Sequence, residues 1–130
     1  MPQIKIDHLA LWVKDLEKMK RFYQDHFQTT ASDLYHNSKT NFYSYFLSFK
    51  SGARLELMNK PDLIEKQTDV FGYAHIALSV GSKEDVDQFA KVFKTKNVLL
   101  NGPRITGDGY YEAVIQDPEG NLIELTAESL

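Results

Sequence analysis

The stretch that decides the fold reads Gly72-Tyr73-Ala74-His75-Ile76-Ala77-Leu78-Ser79-Val80. Apolar residues alternate in it with small or polar ones, which is the period-two pattern of a β-strand with one buried face. Ile76 and Leu78 share the aliphatic face, whereas His75 lies on the opposite face. A single histidine in such a place is more often an ordinary hydrogen-bonded residue than a functional one. His75 becomes informative because the chain repeats its surroundings.

The repeat consists of two matched pairs of segments. The stretch around His75 resembles an earlier one, His8-Leu9-Ala10-Leu11-Trp12-Val13. Similarly, Gly52-Ala53-Arg54-Leu55-Glu56-Leu57 resembles Gly120-Asn121-Leu122-Ile123-Glu124-Leu125. Each half therefore has a histidine on its first strand and a glutamate on its last, at nearly the same spacing. Two matches in register indicate an internal duplication.

Helical patterns follow the first strand of each half. Asp15 is a candidate N-cap for a helix that ends near residue 28, and Ser82 with Asp85 resembles a capping box. The predicted strands cover 4–13, 41–50, 53–58, 72–80, 110–116 and 122–127, with a weak strand in 30–37, an extended segment at 97–100 and a loop at 102–109. The predicted fold is α+β, a single domain over residues 1–130 with two βαβββ halves at about 4–58 and 72–127.

Composition narrows the class of function. The net charge is −3 and the basic residues are scattered, which argues against nucleic acid or an anionic membrane as a partner. No apolar run is long enough to span a membrane. The chain has no cysteine, so disulfides, thiolate metal sites and cysteine nucleophiles are excluded. The N-terminus lacks the apolar core of a signal peptide, which favours a cytoplasmic protein with a small-molecule partner.

Alternation along the strands places the repeated histidines and glutamates on one face. The aliphatic face must meet the helices, so His8, Glu56, His75 and Glu124 lie on the other, concave face. If the halves pair about a pseudo-two-fold axis, all four converge, and their two carboxylates then require a cation. Two imidazoles and two carboxylates suit Zn, Ni, Co, Mn or Fe. The alternative is that all four are ordinary solvent-facing residues.

These motifs resemble the vicinal oxygen chelate superfamily, the glyoxalase, bleomycin-resistance and extradiol-dioxygenase group. The resemblance covers nearly the whole chain, and its most specific part is Asp117-Pro118-Glu119-Gly120-Asn121-Leu122-Ile123-Glu124-Leu125. It implies a curved, partly closed mixed sheet around a divalent metal, with helices on the convex side. The ligand set His8, Glu56, His75 and Glu124 is similar to that of glyoxalase I, a lactoylglutathione lyase.

The resemblance also implies a mechanism and a homodimer. A thiol adduct of an α-oxo-aldehyde would bind the metal through two adjacent oxygens. The expected metal is Zn, Ni or Co, in preference to Fe or Mn. The resemblance favours Glu124 as the catalytic base. The internal repeat alone does not distinguish it from Glu56, which occupies the equivalent position in the first half. A small-molecule binding or resistance protein and, third, a dioxygenase are the alternatives.

One position departs from the family pattern. Bacterial relatives that use glutathione carry an arginine where this chain has Trp12. The cations expected to help bind substrate are instead Arg54, two residues before Glu56, and Arg104 in the predicted glycine-rich loop. The thiol is therefore left open.

Overall fold

The structure is a computed structural model that describes residues 1–128. The chain forms two compact units, residues 1–66 and a second unit that begins at Gln67. The elements of the first are β1 (His8–Trp12), α1 (Leu16–Phe27), β2 (Thr30–Ala31), β3 (Tyr35–Asn37), β4 (Phe42–Ser48) and β5 (Arg54–Asn59). Those of the second are β6 (His75–Gly81), α2 (Lys83–Thr95), β7 (Leu99–Ile105), β8 (Tyr111–Gln116) and β9 (Leu122–Ala127).

Each unit has its own mixed sheet, and neither sheet is closed into a barrel. The first has the order β1-β5-β4-β2, with β3 paired to β4, and the second has the order β6-β9-β8-β7. In both, the first strand runs parallel to the last, and the remaining pairs are antiparallel. The predicted α+β class is confirmed. The second unit is a βαβββ module, and the first has the same plan with one additional short strand.

The register of the first and last strands is the same in both units. Ala10 on β1 is paired with Glu56 on β5, and Ala77 on β6 is paired with Glu124 on β9. On the neighbouring antiparallel strand, Glu56 is paired with Phe46 of β4, and Glu124 is paired with Val114 of β8. The sequence repeat therefore corresponds to the same strand pairing, in the same register, in both units.

The helices cover the aliphatic face of each sheet. In the first unit α1 packs on β4 and β5, and in the second α2 packs on all four strands. The fully buried side chains come from the helices and from alternate strand positions, among them Met19, Tyr23, Leu47, Leu55, Leu57, Val86, Phe93, Ile115, Ile123 and Leu125. The glutamates between these strand positions lie on the opposite face.

Both helices begin at the predicted caps. The Asp15 carboxylate accepts a hydrogen bond from the backbone N–H of Lys18 at 3.0 Å. Ser82 and Asp85 form a reciprocal capping box, which satisfies two backbone N–H groups at the start of α2. Within residues 1–128, neither helix is long and apolar enough to cross a membrane.

Four predicted boundaries were wrong. The strand predicted over 72–80 begins at His75, so residues 72–74 lie outside β6. Residues 4–7 are not part of β1, which begins at His8. Residues 30–37 contain two short strands instead of one. The predicted loop at 102–109 is strand as far as Ile105, because β7 pairs with β8 through two irregularities that accommodate Gly102 and Pro103. Arg104 therefore lies on a strand.

Candidate metal centre

In the first unit, His8 and Glu56 lie side by side on the face away from α1. The register of β1 on β5 brings them together, and His8 Nε2 is 3.6 Å from Glu56 Oε1. Glu56 is shielded, with a side-chain exposure of 13%, whereas that of His8 is 39%. The ring of Phe46 packs edge-on against the imidazole, with 5.2 Å between ring centroids.

Asp7 holds the other nitrogen of the same imidazole. Its carboxylate lies 2.8 Å from His8 Nδ1 and accepts a hydrogen bond of 2.9 Å from Arg54. The hydrogen bond with His8, and then that with Arg54, holds the pKa of Asp7 below its usual value. A carboxylate at Nδ1 fixes the ring so that Nε2 is presented to Glu56, as outer partners do in metal sites.

The second unit contains the equivalent pair. His75 Nε2 is 3.2 Å from Glu124 Oε1, and the two side chains are 39% and 25% exposed. Ala74 takes the position that Asp7 has in the first unit, so His75 has no carboxylate immediately before it in sequence. The two histidines are thus placed alike but supported differently.

Glu112 is the neighbour that distinguishes Glu124 from Glu56. It lies on β8, on the same face as Glu124, and is only 7% exposed. Burial, and then a hydrogen bond to Glu124, raises the pKa of the Glu112 carboxyl. The matching position in the first unit is Ser44, since Ser44 and Glu112 stand at the same step of β4 and β8.

The spacing within each pair is close to that of two neighbouring ligands of one cation. Ligand atoms about 2.1 Å from a divalent first-row metal lie about 3.0–3.4 Å apart in octahedral or tetrahedral geometry. The His75–Glu124 separation of 3.2 Å lies within this range, and the His8–Glu56 separation of 3.6 Å lies just above it. Among residues 1–128, no three His, Asp or Glu side chains form a cluster able to hold a metal ion. Each unit therefore supplies a pair of donors that fits half of a ligand set.

Trp12 lies on the same face of β1 as His8 and remains 46% exposed. Its indole contacts the edge of Phe42 at 6.1 Å between centroids, and the Lys60 ammonium lies 4.6 Å above the ring. Arg54 stacks on Phe46 at 4.2 Å, next to His8. The first unit thus presents aromatic rings beside its His–Glu pair.

Arg104 stands beside Glu112 in the second unit. Its strand position on β7 is paired with that of Glu112, and its positive charge opposes the rise in the pKa of Glu112. The predicted substrate residues thus lie on the strands that carry the pairs: Trp12 and Arg54 in the first unit, Arg104 in the second.

Sequence reasoning missed Asp7 and Glu112. Asp7 directly precedes His8, and a carboxylate next to a candidate ligand is a signal that could have been used. Glu112 is an acidic residue inside a predicted strand, but only the pairing of β8 with β9 shows that it reaches Glu124. The remaining histidines lie elsewhere: His36 stacks on Tyr43, and His26 packs against Phe22.

Comparisons with known proteins agree with the fold. Residues 5–125 match the Glyoxalase/Bleomycin resistance protein/Dioxygenase superfamily. The chain therefore belongs to this superfamily. A search of curated protein sequences finds no match.

Solved structures show the same fold at low identity. A trypanothione-dependent glyoxalase I from Leishmania major is 22% identical with a TM-score of 0.77, over 97% of this chain and 88% of that one. A lactoylglutathione lyase from Agrobacterium tumefaciens is 20% identical with a TM-score of 0.70, over 98% and 96%. A glyoxylase/bleomycin resistance protein/dioxygenase domain from Frankia sp. is 15% identical with a TM-score of 0.81, over 97% and 98%.

Proposed function

We propose that the chain is a metal-dependent lyase of the glyoxalase I (lactoylglutathione lyase) type, acting on the adduct of a thiol and a small α-oxo-aldehyde. The observation that supports it is a His–Glu pair at the same register in each unit, with ligand-like spacing. The proposed ligands of one divalent cation, Zn, Ni or Co before Fe or Mn, are His8, Glu56, His75 and Glu124. The proposal includes a cytoplasmic homodimer with a small-molecule substrate.

The proposed chemistry divides the work between the cation and the chain. A divalent cation supplies positive charge next to two adjacent oxygens of the substrate. Glu124 is the proposed base, which takes a proton from one substrate carbon and returns it to the next. What distinguishes Glu124 from Glu56 is its neighbour Glu112, which lies on the same face of the sheet and hydrogen-bonds to it. Glu56, which faces Phe46 instead, is the proposed permanent ligand.

The residues proposed to bind the rest of the substrate are Trp12, Arg54 and Arg104. Arg54 is already bonded to Asp7, so its first effect is to hold the carboxylate that orients His8. Arg104 brings a positive charge to the side of Glu112 that is away from Glu124. Trp12 offers a partly exposed ring on the face that carries His8.

Metal content and turnover test the proposal together. Protein purified without chelators is expected to contain about one equivalent of divalent metal by elemental analysis, and to convert methylglyoxal in the presence of one of several thiols. Glu56→Gln and Glu124→Gln should each lower turnover by about 100-fold or more, since each removes a ligand or the base. Glu84→Gln, on the exposed first turn of α2, removes the same charge and should leave turnover unchanged. Failure to bind added Ni, Co or Zn would falsify the lyase proposal.

A second candidate is a protein of the same fold that sequesters a small molecule. The observation that favours it is that no cluster of three metal ligands occurs within residues 1–128. This candidate predicts tight ligand binding by chelator-treated protein and no turnover with any thiol. Binding that survives chelation, without product formation, would select it over the lyase.

A further inference from the structure

The open face of the first sheet carries an aromatic platform, which we define as Trp12, Tyr35 and Phe42. The indole of Trp12 contacts the ring of Phe42 edge-on, and Phe42 in turn contacts Tyr35, each at 6.1 Å between centroids. The three rings come from three strands, β1, β3 and β4. They form one continuous surface because β3 pairs with β4 at Phe42.

The platform combines exposure with restraint. Trp12 is 46% exposed and Tyr35 is 54% exposed, so both rings can be reached from solvent. The indole nevertheless has two contacts that restrain it, a T-shaped contact with Phe42 and the Lys60 ammonium above its ring. A flat, restrained and accessible ring loses little conformational entropy when a second ring packs against it.

The platform continues the candidate metal centre along the same strand. Trp12 lies two residues beyond Ala10, the partner of Glu56, which is roughly 7 Å along β1. Trp12 is on the same face as His8, so a ligand at the His8–Glu56 pair that is long enough reaches the indole. The intervening position is Ala10, whose methyl group leaves this path open.

We propose that the aromatic platform binds an aromatic substituent of the substrate, so that the preferred substrates carry an aryl group a few bonds away from their two adjacent oxygens. The inference rests on the proposed function, since it places those oxygens at the His–Glu pairs. It assigns a substrate class: aryl-bearing adducts over purely aliphatic ones. Stacking on Trp12 takes the place of a charged contact with the thiol.

Two hydroxamates of equal length test this preference. Hydroxamates bind divalent metals through two adjacent oxygens. The two compounds are 4-phenylbutanohydroxamate and 4-cyclohexylbutanohydroxamate, which differ only in whether the ring is flat and aromatic. Calorimetry with metal-loaded protein should show the phenyl compound binding roughly 3- to 10-fold more tightly. Trp12 is the only tryptophan of the chain, so its emission should change with the phenyl compound more than with the cyclohexyl one.

Variants locate the preference. Trp12→Ala should bind both compounds equally, whereas Trp12→Phe, which keeps a ring, should retain most of the difference. Since Trp12 is partly exposed, its replacement should leave the fold intact, and circular dichroism checks this. Equal binding of both compounds by the unmodified protein, or an unchanged preference in Trp12→Ala, would overturn the platform.

The same titrations distinguish failure of the proposed metal-dependent function from failure of the aromatic platform. If the protein binds no metal, neither hydroxamate gains affinity on addition of Ni, Co or Zn, and the proposed function fails. If both hydroxamates bind in a metal-dependent way but with equal affinity, the proposed function stands and the platform fails.

Discussion

Asp7 gives His8 a support that His75 lacks. Its carboxylate touches Nδ1 of the imidazole while the guanidinium of Arg54 holds it from the side. If His8 is a metal ligand, Asp7→Asn should weaken binding of Ni or Zn by about 10-fold, the lower end of the usual range for such partners because Asp7 is 71% exposed. Calorimetric metal titration measures this, with Asp33→Asn, an exposed acid on no element, as the control. An unchanged affinity would remove Asp7 from the site.

A second residue-level prediction concerns the contact between α1 and its sheet. The Tyr45 hydroxyl donates a hydrogen bond of 2.6 Å to Glu17, and this bond lowers the pKa of the Glu17 carboxyl. Tyr45→Phe should reduce the free energy of unfolding by about 1 kcal/mol, as expected for one partly buried hydrogen bond. Urea unfolding measures it. Tyr43→Phe, at a less buried position on the same face of β4, removes the same hydroxyl and should change stability less.

Among the elements, α2 has a cap whose strength depends on pH. Hydrogen bonds from Ser82 hold the pKa of Asp85 below its usual value of 3.8. The Asp85 carboxylate therefore stabilises the fold above the pKa it has in the unfolded chain, and this contribution is lost as the pH falls through the lower pKa of the folded state. The difference in urea midpoint between the unmodified chain and Asp85→Asn should be largest near pH 6 and shrink towards about pH 3. A difference that does not change with pH would contradict this.

The end of α1 carries local backbone strain. Gln28 adopts a left-handed conformation with φ of 54°, which a side chain with a Cβ disfavours. Gln28→Gly should raise the free energy of unfolding by about 0.5 kcal/mol or more. Gln24→Gly, inside the helix, should instead lower it by about 1 kcal/mol. Thermal unfolding of the pair compares the two positions directly.

The helices and strands differ in how well the sequence predicted them. Strand alternation and capping residues correctly predicted both helices and the strands that carry the His–Glu pairs, because burial of one face imposes a strict period. The region around Gly102 and Pro103 was mistaken for loop, since an irregular strand tolerates residues that a regular one excludes. The Glu112–Glu124 contact depends on register between strands, which no local pattern encodes.

In each sheet, the strand that comes first in the sequence is an edge strand. Strands β1 and β6 stand at the ends of their strand orders, and exposed apolar residues precede both: Ile4 and Ile6 before β1, Phe71 and Tyr73 before β6. Such edges usually need a cover, which supports the proposed homodimer. Sedimentation should give twice the chain mass of 14.9 kDa.

The double variant Ile6→Ser with Phe71→Ser should weaken that association by about 10-fold or more, because it removes two large apolar groups from the proposed contact. Val92→Ser, a partly exposed apolar position on α2, is the control and should leave the association unchanged. A monomer at all concentrations would reject the dimer.

The parallel pairing of first and last strands has a consequence for how the protein is made. During translation β1 leaves the ribosome early, yet the strand it pairs with, β5, is finished only at Asn59. Once Asn59 has emerged the first sheet has all its strands, while β6, which begins at His75, has yet to leave the ribosome. Since chains grow at about 5–20 residues per second, the first sheet has seconds in which to form before its duplicate appears. The two halves pair their strands in nearly the same way, so a strand of one half could pair wrongly with a strand of the other. Synthesis in this order lets the first sheet form before the second, which makes such mispairing less frequent.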